Sequence, residues 1–170
     1  MFNSCKKGPQ DPFISLRSRE ARLKGEWNLT SGNVTITIDT ITTTKTFTAS
    51  MVTVTTMGQT STFTHTEKYE FLKYNIFKST KMNDSNVETG EGYWAFMDGY
   101  ADVANKVCVA IKLSSHAISG QITNYTDDNM PVNVFKIVSL SSNELIIETN
   151  GTTTGTSSDT INSTKTYTKK

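Results

Sequence analysis

Threonine alternates with apolar residues over much of the first half of the chain, and this spacing of two constrains the fold more than any other feature. In residues 33–39, NVTITID, the side chains of Val34, Ile36 and Ile38 fall on one face and the polar side chains on the other. The β-branched threonine also suits a pleated strand better than a helix. We therefore expect an all-β domain.

The number and spacing of the strand-like segments predict how the sheet is arranged. We count about eight to ten short segments at regular intervals, separated by turn residues. Within residues 132–150, the triplet Ser141-Ser142-Asn143 separates two apolar runs and predicts a hairpin. This pattern is typical of an antiparallel up-and-down β-barrel, with a sandwich of two sheets as the alternative.

Two segments depart from simple alternation. The apolar phase of residues 46–56 changes between Phe47 and Val52, which predicts a β-bulge near Ala49. Residues 61–78 change phase as well, and they fit either one long bent strand or two strands.

The N-terminal part of the chain differs in composition from the strands. Residues 1–14 are polar and contain prolines, which predicts a disordered leader ahead of a single barrel domain at 15–170. Residues 15–24 predict a short helix, with Ser15 as its N-cap and Gly25 just past its end.

The charge and the cysteine content exclude several classes of protein. The formal net charge is +1, so there is no electrostatic basis for binding nucleic acid. No run approaches the roughly 20 apolar residues that a membrane-spanning helix needs. The two cysteines, Cys5 and Cys108, are too few for a disulfide scaffold, and the apolar run around Cys108 predicts a buried structural thiol.

The residue types that usually carry catalysis are sparse and scattered. We expect His65 on the polar face of a strand and His116 in a connecting loop, with no ligand-forming residues near either. The acidic residues around Asp98 and Asp127 fit turn chemistry better than a calcium site. Nucleophile-elbow, phosphate-loop and zinc-protease motifs are missing from the sequence. We therefore expect no enzyme activity, no metal and no cofactor.

Aromatic residues are the strongest candidates for a binding site. Alternation places Trp94 and Phe96 on the same side of one strand, while Phe71 and Phe135 belong to other strands. We expect these four side chains to line the barrel interior. A barrel of about eight strands is just wide enough to be filled by side chains or to hold one small ligand, so both alternatives stay open.

The N-terminal region resembles a known family. The run NSCKKG followed by DPFISLRSREARLKGEWNL is similar to the start of mature lipocalin-like lipoproteins from Bacteroidetes-type bacteria. Gly25-Glu26-Trp27 matches their Gly-x-Trp, in which the tryptophan plugs the closed end of the barrel. The arginine that usually covers this tryptophan is replaced here, with Lys165 or Lys169 as candidates.

The same resemblance implies a location. Phe2-Asn3-Ser4-Cys5 is similar to the end of a lipoprotein signal, so Cys5 is the expected site of lipidation and Met1 stands within the signal region. Together, these features predict a monomeric lipoprotein of the bacterial outer membrane, facing the periplasm or the surface. It would bind a small hydrophobic ligand without catalysis. The alternative is an interaction or adhesion module whose barrel is filled and whose threonine-rich outer strands contact a partner.

The lipid anchor is testable through Cys5. We expect Cys5→Ala, expressed with its natural upstream sequence in a suitable bacterial host, to lose lipid modification and to leave the membrane fraction. Mass spectrometry and membrane fractionation provide the measurement. A Cys5→Ala protein that still carried lipid and stayed with the membrane would refute the anchor.

Overall fold

The computed structural model describes residues 18–97, 108–152 and 160–170, apart from the side chains of residues 151–152. Its regular elements are one short α-helix, one 3₁₀ turn and eleven strands. In chain order they are α1 (Arg19–Leu23), β1 (Gly25–Ile38), β2 (Ile41–Thr48), β3 (Met51–Thr56), β4 (Gln59–Phe71), the 3₁₀ turn (Lys73–Asn75), β5 (Ile76–Asn83), β6 (Asn86–Phe96), β7 (Cys108–Ile118), β8 (Gln121–Asn124), β9 (Val132–Leu140), β10 (Glu144–Thr152) and β11 (Thr160–Lys169).

Ten of the strands close into an antiparallel barrel. Their order is β6-β5-β4-β3-β2-β1-β11-β10-β9-β7, and pairing of β6 with β7 completes the ring. The eleventh strand, β8, pairs only with the part of β7 beyond its contact with β9. The predicted all-β, antiparallel up-and-down barrel is therefore confirmed.

The two ends of the barrel have different numbers of strands. Residues Gly25–Asn28 of β1 pair directly with Lys68–Phe71 of β4, whereas Ser31–Ile38 of β1 pair with β2. The hairpin of β2 and β3 is thus inserted between β1 and β4 in only one half of the barrel. Eight strands surround the narrow end, and the inserted hairpin adds two more strands to the other half of the barrel, whose diameter grows with strand number.

The hydrophobic core fills the narrow end. Trp27 and Tyr167 are the largest of its fully buried side chains. Leu23 of α1 is also fully buried, so the helix closes this end of the barrel. The core continues through inward-facing residues of seven strands, which include Leu29, Phe71, Phe77, Trp94, Val109, Ile111, Ile137, Leu140, Leu145 and Ile147.

The helix begins later than the sequence suggests. Its N-cap is Ser18, whose hydroxyl accepts a hydrogen bond from the backbone N–H of Ala21 at 3.1 Å. The predicted cap Ser15 and the predicted domain boundary between residues 14 and 15 lie outside the described residues. Gly25 follows the helix as predicted, and it also begins β1.

The predicted β-bulge near Ala49 is wrong. A tight turn separates β2 from β3 at this point, and Phe47 pairs with Val52 across it. Both residues therefore face the interior, which accounts for the change of apolar phase. Of the two alternatives for residues 61–78, two strands are present, separated by the 3₁₀ turn at Lys73–Asn75.

Two further local predictions need correction, while the hairpin is confirmed. His116 lies in β7 rather than in a loop, because β7 runs on to Ile118. Cys108, at the start of β7, is a free thiol that is half-buried rather than fully buried. The hairpin of β9 and β10 turns where it was predicted, at residues 141–143.

A glycine at the β6–β7 bulge offers a test of this packing. A Cβ atom on Gly92 would lie 2.1 Å from the carbonyl oxygen of Lys112, a backbone atom that cannot rotate away. We expect Gly92→Ala to lower the free energy of unfolding by about 1–3 kcal/mol, as overpacking does. Urea denaturation provides the measurement.

Gly90→Ala is the matched control on the same strand and face. Its nearest neighbour is the Ser79 hydroxyl at 2.8 Å, which can move by side-chain rotation. We expect a smaller loss, and equal losses in the two variants would contradict the proposed backbone clash.

Candidate functional site

Trp27 and Gly25, the residues of the Gly-x-Trp signature, lie at the narrow end. The Trp27 ring is fully buried, and its Nε1 donates a hydrogen bond of 2.7 Å to the Leu23 carbonyl. Lys169 lies over this ring, with Nζ 5.0 Å from the centroid, and donates to the Arg22 carbonyl at 2.8 Å. A side chain on Gly25 would overlap Lys169, and its φ of +139° also favours glycine.

The four aromatic residues singled out from the sequence occupy different environments. Phe71 and Trp94 pack edge to face in the core at a centroid distance of 5.7 Å, and the ring of Phe96 lies 5.8 Å beyond Trp94. Phe135 lies on the wall of a cavity. Phe71, Trp94 and Phe96 therefore form one aromatic cluster in the core, whereas Phe135 lines the cavity next to it.

A carboxylate is buried in the barrel interior, next to the aromatic core on the side of the wide end. Glu67 of β4 is only 2% exposed. Tyr167 donates a hydrogen bond of 2.6 Å to its Oε1, and Lys165 donates one of 2.5 Å to its Oε2. Both donors belong to β11, which is not a neighbour of β4 in the sheet. Both strands pair with β1, so these bonds pass over β1 on the inner face of the barrel and pair a charge that would be costly to bury alone.

The surrounding groups keep Glu67 ionised. Burial by itself would raise the pKa of Glu67, but His65, Lys165 and Lys81 outweigh it and hold that pKa well below its usual range. Burial and the nearby Glu67 charge raise the pKa of Tyr69 and Tyr167, so both phenols stay protonated. The network is a fixed arrangement of one carboxylate, one ammonium and phenol donors.

His65 lies beside this network and faces the interior, so the expectation that it lies on the polar face is wrong. It is 4% exposed, and its ring packs edge-on against Phe47 at a centroid distance of 4.9 Å. Its Nδ1 lies 2.7 Å from Asn83 Oδ1. Its Nε2 has no hydrogen-bond partner among the described residues and lies 3.7 Å from Glu67 Oε2.

A second group of charges lies beside the first on the neighbouring strands, since Lys81 pairs with Glu67 and Glu88 pairs with Lys81 in the ladder. Glu88 of β6 lies 2.9 Å from His116 Nε2 and 3.8 Å from Lys81 Nζ. His116 therefore belongs to the same interior band as His65, although more than one strand separates them in the sheet.

Two cavities meet at this band of charges. One has a volume of about 420 Å³ and the other about 450 Å³, and both are lined by Lys81, Glu88 and Lys165. The first has apolar walls that include Phe77, Leu113, Phe135 and Ile147. The second has apolar residues on part of its wall and polar or charged ones on the rest. The apolar ones are Phe47, Val52, Val54 and Phe63, and the polar ones include His65, Glu67, Lys45, Asn83, Asp84 and Asn86.

The second cavity continues toward the wide end of the barrel. A further space of about 480 Å³ shares Val54 and Phe63 with it and reaches the exposed Met57 at the β3–β4 turn. We call these three connected spaces the chamber. Its walls combine apolar side chains with a similar share of polar and charged ones.

Our reading of the sequence missed the charged band, although a signal for it was present. In HTEKYEF, residues 65–71, alternation places His65 and Glu67 on the same face as Tyr69 and Phe71. Charged residues on an otherwise aromatic strand face indicate buried polar groups. The partners on β11 could not be identified in this way, because only the closed barrel brings Lys165 and Tyr167 to Glu67.

Comparison with known proteins adds no assignment. No protein-family model matches the chain, and no match was found among curated proteins or solved structures. The lipocalin-like lipoprotein resemblance therefore stays a prediction from sequence motifs. Among the described residues, no helix is long and apolar enough to cross a membrane.

Removing the Glu67 charge tests the interior network. Glu67→Gln leaves Lys165, whose side chain is 14% exposed, without its carboxylate. We expect a loss of about 3–5 kcal/mol in unfolding free energy at pH 7, as for other broken buried pairs. Glu91→Gln, which removes a surface partner of Lys78, is the control and should change the unfolding free energy far less, because solvent screens an exposed pair.

Glu67 should also make the unfolding free energy of the wild type depend on pH, and Glu67→Gln should lack that contribution. Because the pKa of Glu67 is lower in the folded chain than the unfolded value of about 4.3, its contribution is complete above that pH and is lost as the pH falls. Below this pH, the wild type should lose up to about 1.4 kcal/mol per pH unit more than Glu67→Gln does. Urea titrations between pH 3 and 7 would reveal this, and parallel profiles would argue against an ionised buried Glu67.

Proposed function

We propose that the barrel is a non-catalytic binding protein that holds a small amphipathic molecule in its chamber. The observation that carries this proposal is the meeting of the two cavities at Lys81, Glu88 and Lys165, between walls that present both apolar and polar side chains. An apolar body would lie against the walls, and a polar group would reach the charged band. The sequence alone predicts a small apolar ligand. We propose an amphipathic one instead, because the charged band offers partners for a polar group.

The size of the chamber supports binding rather than a filled barrel. Ligand sites in proteins usually occupy about 300–1,000 Å³, and they combine apolar walls with a few polar groups. The cavities of about 420 and 450 Å³ fall in this range. The narrow end already supplies a continuous hydrophobic core around Trp27, so the fold does not require side chains to fill the wide half.

The state of the buried charges favours binding over catalysis. A general acid or base works best when its pKa lies near the working pH. The pKa of Glu67 is held well below its usual range, because the donors around it outweigh its burial. A carboxylate so firmly ionised suits fixed electrostatic complementarity.

The proposed location rests on the sequence. A lipid on Cys5, which lies outside the described residues, would anchor the protein in the bacterial cell envelope. The described chain enters the fold through α1, beside the narrow end, since Leu23 packs in the core there. A tether attached at this point would leave the opposite, wide end free to receive a ligand.

A second candidate, an adhesion or interaction module, is favoured by the outer surface of β1–β4. Threonines of neighbouring strands approach each other in hydroxyl pairs on this face. These pairs are Thr37–Thr42 at 3.3 Å, Thr53–Thr62 at 3.3 Å and Thr55–Thr60 at 3.0 Å. Such a regular row of hydroxyls could contact a glycan or a partner chain.

Filling the chamber distinguishes the two candidates. Ser163 and Thr164 are consecutive residues of β11, and Ser163 lines the first cavity while Thr164 is exposed on the outside. Diphenylhexatriene, an uncharged hydrocarbon that fluoresces strongly only out of water, is the probe. We expect Ser163→Phe to weaken its binding about tenfold or more, because overpacking costs about 1–3 kcal/mol.

Thr164→Phe adds the same side chain on the opposite face and should bind the probe as the wild type does. Fluorescence titration measures both variants, with circular dichroism to confirm that each one is folded. If folded wild-type protein bound no probe, the chamber proposal would fail and the outer threonine face would become the better candidate.

A further inference from the structure

One edge of strand β4 is open at the wide end of the barrel. Residues 59–64 of β4 pair with β3 on one side. The pairing with β5 on the other side begins only at His65, which lies opposite Asn83. Among the described residues, no strand pairs with residues 59–63 on that side. The hairpin of β3 and β4 therefore extends beyond the hairpin of β5 and β6.

The backbone groups at this edge follow from the last bonds that β4 makes on the same side. The N–H of Thr64 donates to Asp84 Oδ1 at 3.0 Å, and the carbonyl of Thr64 accepts from the N–H of Asp84 at 2.9 Å. The N–H of His65 points the other way and donates to the carbonyl of Ser50. Because these directions alternate along a strand, Thr60 and Thr62 direct their N–H and C=O groups out of the open edge.

The open edge lacks the features by which sheet edges usually avoid pairing. Residues 59–64, QTSTFT, contain neither proline nor a charged residue, and all of them are exposed. Their ladder with β3 runs without a bulge. Proteins normally protect such an edge with lysine, proline, a bulge or a covering element. An edge without this protection is a template for a further strand.

A second copy of the same strand fits this edge. The two residues with outward backbone groups lie symmetrically about Ser61. An antiparallel pair centred on Ser61 therefore places Thr60 of each copy opposite Thr62 of the other, and each such pair exchanges N–H···O=C bonds in both directions. Since residues 59–64 are uncharged, no like charges meet between the paired strands.

The outer side chains favour the same pairing. The hydroxyls of Thr60 and Thr62 already approach those of Thr55 and Thr53 of β3, at 3.0 and 3.3 Å. In the antiparallel pair, Thr60 of one copy and Thr62 of the other take up the same cross-strand relation. Such pairs stabilise a sheet, so the threonine surface of β1–β4 would continue across both copies.

We propose that the protein forms a symmetric dimer through the open edge of β4, with the two β4 strands antiparallel about Ser61. Two-fold symmetry is the commonest arrangement of identical chains. Such a dimer departs from the monomer expected from the sequence, and its formation does not require a ligand in the chamber. The contact is short, so we expect a weak dimer that dissociates on dilution.

Sedimentation velocity of the full chain tests for the dimer, with a reducing agent present to exclude a disulfide between copies. We expect the average mass to rise from that of a monomer toward that of a dimer between low micromolar and near-millimolar concentration. A mass that stays monomeric over this range would overturn the dimer.

Proline at position 62 tests the backbone bonds. Thr62→Pro removes an N–H that faces the second copy, and proline is tolerated where the N–H of an edge strand faces solvent. We expect the dissociation constant to rise about tenfold or more, because each copy loses an edge donor. Thr62→Val keeps that donor and the β-branched shape, so it is the control and should still dimerise. Circular dichroism confirms that both variants fold, and equal weakening would contradict the backbone pairing.

A pair of lysine variants gives a test that does not depend on proline. Lysine on an open edge disfavours pairing, so Thr60→Lys should also weaken the dimer. Thr46→Lys adds the same charge on an exposed position of β2, a strand that is paired on both sides, and should leave the dimer unchanged. The edge would be excluded if both lysines weakened the dimer equally.

Hydrogen exchange, followed by NMR, locates the contact in the wild type. We expect the amides of Thr60 and Thr62 to exchange rapidly in dilute protein and more slowly as the concentration rises. The amides of Ser61 and Phe63 point toward β3 and should stay protected throughout. If a dimer formed while Thr60 and Thr62 still exchanged rapidly, the copies would meet elsewhere and the proposed edge would be wrong.

Discussion

Strand β1 changes its partner halfway along its length. The division of the barrel into a filled narrow end and a chamber depends on this change. Its first residues pair with β4, and its later residues pair with the inserted hairpin of β2 and β3. A ring of eight strands is narrow enough for Trp27 and its neighbours to fill. Two additional strands widen the ring beyond what the inward side chains fill, and cavities remain.

The wide half needs a different source of cohesion, and buried charges provide it. Glu67 receives hydrogen bonds from Lys165 and Tyr167 of a strand on another part of the ring. Bonds of this kind hold β4 and β11 together on the inner face of the barrel, on either side of β1. The same groups give the chamber its polar band. The stability of the wide half and the polar character of the proposed binding chamber therefore depend on the same residues, so a change at Glu67 is expected to affect both.

The local pattern of the sequence predicts the strands well and their pairing less well. Alternation identifies most strands and the β9–β10 hairpin, because a pleat fixes which side chains share a face. The change of phase between Phe47 and Val52 is equally consistent with a bulge and with a tight turn, and only the pairing of β2 with β3 decides between them. His116 was assigned to a loop because the polar residues around it conceal the end of β7.

By itself, the sequence determined an all-β chain of short strands, with a barrel or a sandwich as its arrangement and a glycine and a tryptophan at the start of its first strand. These properties follow from side-chain alternation and from local backbone freedom, which act over a few residues. Only the tertiary structure decided that the β2–β3 hairpin adds two strands to one half of the barrel, and that Glu67 meets Lys165. Those contacts join residues about a hundred positions apart, and ring closure brings them together, which no local pattern specifies.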